Sequence, residues 1–166
     1  METTILGIDP GSACTGYGLI KNTHHRCTHI LNGNIRASRQ YSMGERLFYI
    51  YENVLNLIKT YHPHHIAIEK VFMGKNAIAA LKLGQARSCA LIAAASLNIP
   101  VFEYSPREIK QAVTGYGGAI KSQVQHMVTT LLQLARQPAQ DAADALAIAL
   151  CHANIYTFNQ KIKATS

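Results

Sequence analysis

Apolar residues along this chain come in short blocks, and their spacing changes from one block to the next. Thr4-Ile5-Leu6-Gly7-Ile8 is a continuous run stopped by Asp9-Pro10-Gly11, the pattern of a buried strand ending in a turn. Gly16-Tyr17-Gly18-Leu19-Ile20 and Thr28-His29-Ile30-Leu31 read as two more strands, joined by the polar segment 21–26 into a meander. Then the period lengthens. Ser42 and Glu45 spell an S-x-x-E capping box, in which each side chain satisfies an orphan helix N–H. Leu47, Ile50, Tyr51, Val54, Ile58 and Tyr61 follow at three- and four-residue steps, one face of a helix that Pro63 closes. His65-Ile66-Ala67-Ile68-Glu69 is a fourth strand, apolar up to its carboxylate.

Residues 76–97 have a helical pattern but are apolar nearly all round, with Lys82 and Arg87 as the only charges. Such a helix belongs in a core or between subunits. Val101-Phe102-Glu103-Tyr104 reads as a fifth strand. Ser105-Pro106-Arg107-Glu108 combines a capping serine, a proline at the first helical position and a reaching glutamate, opening a helix to Gly115. A glycine-rich loop, 115–118, leads to a helix from Lys121 to about Ala135. Pro138 precedes a last helix from Asp141 to about Ile155. The order β-β-β-α-β-α-β-α-α-α predicts an α/β fold, a mixed five-stranded sheet flanked by helices. One domain over 1–158 is expected, with a frayed tail over 159–166.

Composition narrows this only a little. With 48% apolar and 15% charged residues, the 166-residue chain can bury a core and is not disordered. No stretch reaches the roughly 18 uncharged apolar residues of a membrane span. The start, Met1-Glu2-Thr3-Thr4, lacks the basic and apolar regions of a secretory signal, so a cytoplasmic protein is expected. Cys14, Cys27, Cys89 and Cys151 share no C-x-x-C pair or spacing, so zinc and disulfide frameworks are not indicated. Charge changes the picture more. Sixteen Lys and Arg against nine Asp and Glu give a formal charge of +7, which suits a polyanion, nucleic acid first.

In a basic chain the acids then stand out. Asp9 and Glu69 each end an apolar strand; if those strands are parallel neighbours, both carboxylates emerge at the C-terminal edge of the sheet, where α/β folds put their sites. Asp141 and Asp144 lie three apart on the first turn of an almost wholly apolar helix. Singly, each acid has a commoner role: Asp9 as a turn residue, Glu69 in an ion pair, Asp141 and Asp144 at a helix N-terminus. Together, three segments deliver acids to the ends of apolar elements. Clustered carboxylates repel unless a cation offsets them, and oxygen-only ligands suit Mg²⁺ or Mn²⁺. Two such ions about 3.5–4 Å apart can activate a water and stabilise the leaving oxygen of a phosphodiester.

These residues also carry a family likeness. The blocks Ile5-Leu6-Gly7-Ile8-Asp9-Pro10-Gly11-Ser12 with Thr15-Gly16-Tyr17-Gly18, and Ile66-Ala67-Ile68-Glu69-Lys70-Val71-Phe72 with Lys75-Asn76, resemble the RuvC Holliday-junction resolvases. So do Ala80-Leu81-Lys82-Leu83-Gly84-Gln85-Ala86-Arg87, Lys121-Ser122-Gln123-Val124-Gln125 and Asp141-Ala142-Ala143-Asp144-Ala145. The likeness runs from about Ile5 to His152 in family order. It implies an RNase H-like fold, a homodimer through the 76–97 helix, and Mg²⁺-dependent cleavage of four-way junctions beside a branch-migration complex of the RuvA–RuvB type. By the same resemblance, Asp9, Glu69, Asp141 and Asp144 are the metal-binding catalytic acids. Phe72 stacks on or wedges against bases near the cut. Lys110 and Lys121 contact DNA or assist at the scissile phosphate, and Lys75, Lys82 and Arg87 touch DNA or the second subunit.

Three rivals remain at this point. Asp9-x-Gly11 with Thr15-Gly16 resembles the first phosphate hairpin of actin-like ATPases, but the chain is too short for the two similar domains those require. A junction binder that does not cut, and a nuclease for RNA–DNA hybrids or RNA, are the others. His24, His25, His62, His64 and His65 read as solvated residues of loops and element ends.

Overall fold

The structure, a computed structural model, describes residues 2–23, 26–71 and 76–165. Phe72, Lys75, His24 and His25 fall outside those residues. Ten elements follow in the expected order: β1 (Thr3–Asp9), β2 (Cys14–Asn22), β3 (Cys27–Arg36), α1 (Met43–Tyr61), β4 (His65–Glu69), α2 (Ala77–Ser96), β5 (Val101–Tyr104), α3 (Pro106–Thr114), α4 (Lys121–Leu131) and α5 (Gln140–Thr165). The sheet order is β3-β2-β1-β4-β5. The meander β1-β2-β3 is antiparallel, while β4 and β5 add in parallel beside β1. Returning in parallel requires crossovers, and α1 and α2 supply them.

Strand side chains alternate between faces, and this divides the core in two. Ile5, Ile20, Ala67 and Tyr104 face α3, α4 and α5. Leu6, Ile8, Leu19, Ile66 and Ile68 face α1 and α2. Each fully buried Ile or Leu contributes about 1.5–3 kcal/mol. Along α5, Ala142, Ala143 and Ala145 through Cys151 are at most 4% exposed, so this helix forms the centre of its layer.

Two helix ends depart from the sequence reading. The helix expected to reach Ala135 stops at Leu131, because Gln133 turns left-handed (φ 52°) and Leu134 N donates back to Thr129 O at 2.9 Å. The tail expected to fray is instead a continuation of α5 to Thr165. No glycine or proline follows Pro138, so nothing in the chain stops the helix near Ile155. One helix among the described residues, α2, is long and apolar enough to cross a membrane by length and composition alone. It carries Lys82 and Arg87, and it packs on α1.

Candidate active site

The site begins with register. Ile8 on β1 pairs in parallel with Ile68 on β4, so the next residues, Asp9 and Glu69, leave the sheet side by side at its C-terminal edge. Alternation puts both on the face of Ile5 and Ala67, towards α5. Two glycines then bring α5 against that edge. A Cβ on Gly7 would stand 2.0 Å from Ala145 O, and one on Gly16 would stand 2.0 Å from Asp141 O. Only hydrogen fits there, so the first turn of α5 lies on the sheet and delivers Asp141 and Asp144 beside Asp9.

Two more helices open at the same place. In α3, Ser105 N donates to Glu108 Oε2 at 2.7 Å and Glu108 N to Ser105 Oγ at 3.3 Å, the capping box read from the sequence. In α4, Ile120 N donates to Gln123 Oε1 at 2.9 Å. The crevice between these ends is lined by Asp9, Glu69 and Asp144, by Lys110 and Lys121, and by an apolar wall that includes Ile109, Val124 and Ile148.

Its electrostatics follow from burial and crowding. Asp9 is pushed up to about 7, first by burial, then by the charges of Asp144, Glu69 and Asp141, with Lys121 opposing. Glu69 is raised by burial and by Asp144, and Lys121 and Lys110 pull it back. Burial also raises Asp144, against Lys121, whose Nζ lies 3.8 Å from Asp144 Oδ2. Asp141 is not on the crevice wall. It acts on Asp9 and Asp144 through its charge and lies close to the Cys14 thiol. Burial, then Asp141, pushes that thiol up to about 11, so Cys14 stays protonated.

Other predicted residues lie apart. Lys82 is exposed on α2 and away from the crevice wall. Arg87 is paired with Glu103 of β5 and does not reach the crevice. Phe72 and Lys75 lie outside the described residues. His64 and His65 are not merely solvated. His64 Nδ1 accepts from Thr4 N at 3.1 Å, and His65 Nδ1 lies 2.9 Å from Nε2 of the buried His152, whose Nδ1 meets Tyr104 Oη at 2.6 Å. Cys14 and the apolar wall escaped the sequence reading. The wall was available to it, since Ile148 follows Asp144 by four residues on one helix face.

The profile of crossover junction endodeoxyribonuclease RuvC matches residues 5–152. The chain belongs to the RuvC family. Curated RuvC-family relatives include a crossover junction endodeoxyribonuclease of Legionella pneumophila, 54% identical over 92% of this chain and 88% of the relative. Another, from Saccharophagus degradans, is 54% identical over 90% and 87%. Thermus thermophilus RuvC, solved in complex with a Holliday junction substrate, superposes with a TM-score of 0.88 at 33% identity, covering 95% of this chain and 96% of that one. The five-stranded mixed sheet flanked by helices is therefore the RNase H-like fold of RuvC.

RuvC-family nucleases are metal-dependent. Among the described residues no three acidic, histidine or cysteine side chains converge to ligating distance, and the carboxylates of one crevice repel one another. The donor set nonetheless fits a hard divalent cation. It is oxygen-only and half-buried, and burial together with the neighbouring acids pushes Asp9 up to about 7, a strain that a bound cation would relieve.

Proposed function

We propose that this chain is a structure-specific endodeoxyribonuclease that resolves four-way (Holliday) junctions by paired, symmetric nicks in DNA recombination and repair. The observation that supports it best is the crevice itself: three carboxylates and two lysines together at one sheet edge, in a chain matched by RuvC from residue 5 to 152. Asp9, Glu69, Asp141 and Asp144 would hold Mg²⁺, two ions per site, with Mn²⁺ able to substitute. Bound there, the metal supplies an activated water and charge neutralisation at the leaving oxygen, giving 5′-phosphate and 3′-hydroxyl ends.

The remaining roles belong to this chain's own groups. Lys121, 71% exposed, reaches from the rim towards a phosphate, and its charge opposes that of Asp144. Lys110 lines the opposite helix end and binds the same backbone. The apolar wall excludes water from the carboxylates and strengthens every charge interaction inside. Phe72 supports an unstacked base, and Lys75 and Lys82 make outer DNA contacts. Arg87 serves α2 through its pair with Glu103.

Two cuts in opposed strands need two sites about a twofold axis, so the reading includes a homodimer. Helix α2 is the surface for it, because Ile78, Leu81 and Ile92 are 67%, 69% and 58% exposed. A branch-migration complex of the RuvA–RuvB type is the expected partner, and the cytoplasm the expected setting.

Cleavage of a labelled synthetic four-way junction in Mg²⁺, beside linear duplex and an RNA–DNA hybrid, tests this. Paired nicks confined to the junction are expected. Asp9→Asn should keep binding and lose at least about a thousand-fold in cleavage. Junction binding without cutting would make the protein a binder, and cutting of the hybrid alone would keep the site and replace the substrate. Undiminished activity in EDTA or in Asp9→Asn would refute the metal assignment.

A further inference from the structure

The turn between α3 and α4 carries an aromatic ring that neither the core nor the crevice accounts for. Tyr116 is 67% exposed, more than any other aromatic side chain among the described residues. Its exposure is not looseness. The phenol end rests against Gly118, where a Cβ would stand 2.6 Å from Tyr116 Oη and 2.7 Å from Cζ. Most of the side chain is open to solvent.

The turn beneath it is locked. Gly115 takes the left-handed conformation (φ 76°) that ends α3, and its N donates to Gln111 O at 3.0 Å. Gln111 Nε2 donates to Gly115 O at 2.7 Å, Tyr116 N to Thr114 Oγ1 at 3.2 Å, and Ala119 N to Tyr116 O at 3.2 Å. A flat apolar surface presented this way loses little conformational freedom on binding.

What surrounds the ring indicates its partner. Both helices joined by the turn place a lysine on the catalytic crevice: Lys110 in α3, one helical turn (about 6 Å) before Thr114, and Lys121 at the head of α4. Residues 110–121 include no acid. The Arg107 side chain lies along Gly117, so that a Cβ there would meet Arg107 Cγ at 2.7 Å. Beside the ring is a shallow depression lined by Tyr116, Ser122, Gln123, His126 and Met127, offering hydroxyl, amide and imidazole groups to a polar edge. The exposed face of α2 lies on the other side of the sheet, so a dimer through it leaves Tyr116 uncovered.

We infer that Tyr116 is a stacking platform for a nucleobase of the DNA strand that leaves the catalytic crevice past Lys110 and Lys121. The inference rests on the nuclease reading above. The lysines hold the backbone, the ring takes the face of one base, and the Ser122–His126 groups meet its edge. The contact is sequence-tolerant, because every base has a π-face, and it positions the strand on one side of the cut.

The test uses full-length wild type, Tyr116→Ala, Tyr116→Phe and Tyr116→Trp on a four-way junction with 2-aminopurine at successive positions flanking the cut. Tyr116→Ala should weaken junction binding roughly ten-fold, within the range for loss of one stacked base. It should also lose the aminopurine quenching seen with wild type at one position. Phe and Trp should restore both, and all four proteins should melt alike, since the ring is exposed. Wild-type affinity and quenching in Tyr116→Ala would overturn the proposal and leave the patch to a protein partner. A Phe variant as weak as Ala would overturn it too, by assigning the effect to the hydroxyl. If wild type binds no four-way junction, the function falls, and the same variants on single-stranded DNA decide the stacking claim separately.

Discussion

Helices α2 and α5 are nearly the same object in sequence and opposite objects in the fold. Both are long, alanine-rich and apolar on almost every side, so neither shows a face that periodicity can orient. Yet α5 is buried from Ala142 to Cys151 apart from Asp144, while α2 keeps Ile78, Leu81 and Ile92 largely in solvent. The difference comes from what lies opposite. The backbone of α5 lies on the glycines of β1 and β2, and α3 and α4 cover its back. Helix α2 packs its alanines against α1 and the sheet and pairs with β5 through Arg87, while Ile78, Leu81 and Ile92 point away from these contacts into solvent. An all-apolar helix is a statement that something covers it, and only the glycine stripe says which one is covered from within.

The sharpest way to break that contrast is Leu81→Glu. If α2 is covered by a second copy, a charge at a 69% exposed leucine should leave the monomer's melting almost unchanged and weaken the dimer at least about a hundred-fold. Sedimentation should then show monomers, and junction cutting should pass from paired to single nicks. A dimer of unchanged affinity would remove α2 from the interface.

On α5 the corresponding test is Gly7→Ala. The added methyl would meet Ala145 O at 2.0 Å, so the helix must lift off the sheet. Overpacking of this kind costs about 1–3 kcal/mol, or roughly 3–10 °C in melting temperature for a chain of this size. Because the same contact seats Asp144, cleavage should fall further than stability alone requires. Melting and cleavage like wild type would show that the close approach of α5 does not position the site.

Much of this was legible beforehand, for reasons that differ by element. All five strands and both capping boxes were visible in local chemistry, although β3 runs on to Arg36 rather than ending at Leu31, and β2 extends at both ends beyond Gly16–Ile20. Asp9 and Glu69 share an edge because β1 and β4 are parallel, and the pattern of apolar runs ending in carboxylates already suggested it. What stayed hidden depends on contacts distant along the chain. The capture of Arg87 by Glu103, the nearness of Cys14 to Asp141 and the position of Asp141 off the crevice wall have no local signature. The length of α5 was legible and overlooked: the absence of any breaker after Pro138 is itself a signal.

The smallest effect at neutral pH, and the one that best distinguishes the two helices, belongs to His152. Helix α5 buries this imidazole at 1% exposure, between Tyr104 Oη at 2.6 Å and His65 Nδ1 at 2.9 Å, with Phe102 stacked on it and Tyr156 alongside. Burial, and then the charge of His65, pull it from 6.5 down to about 3. Unfolded, the ring takes a proton near 6.5; folded, it resists until about 3. Between those values the unfolded chain holds the extra proton, so acid removes stability, while above 6.5 the contribution is constant. His65, lowered in the same sense by burial and by His64, adds to the slope. His152→Gln should therefore melt a little below wild type at pH 7.5, from loss of one hydrogen bond, and the gap should close or reverse as the pH falls towards 4. Melting curves of the two proteins that stay parallel across that window would mean that the buried imidazole does not govern how α5 responds to acid.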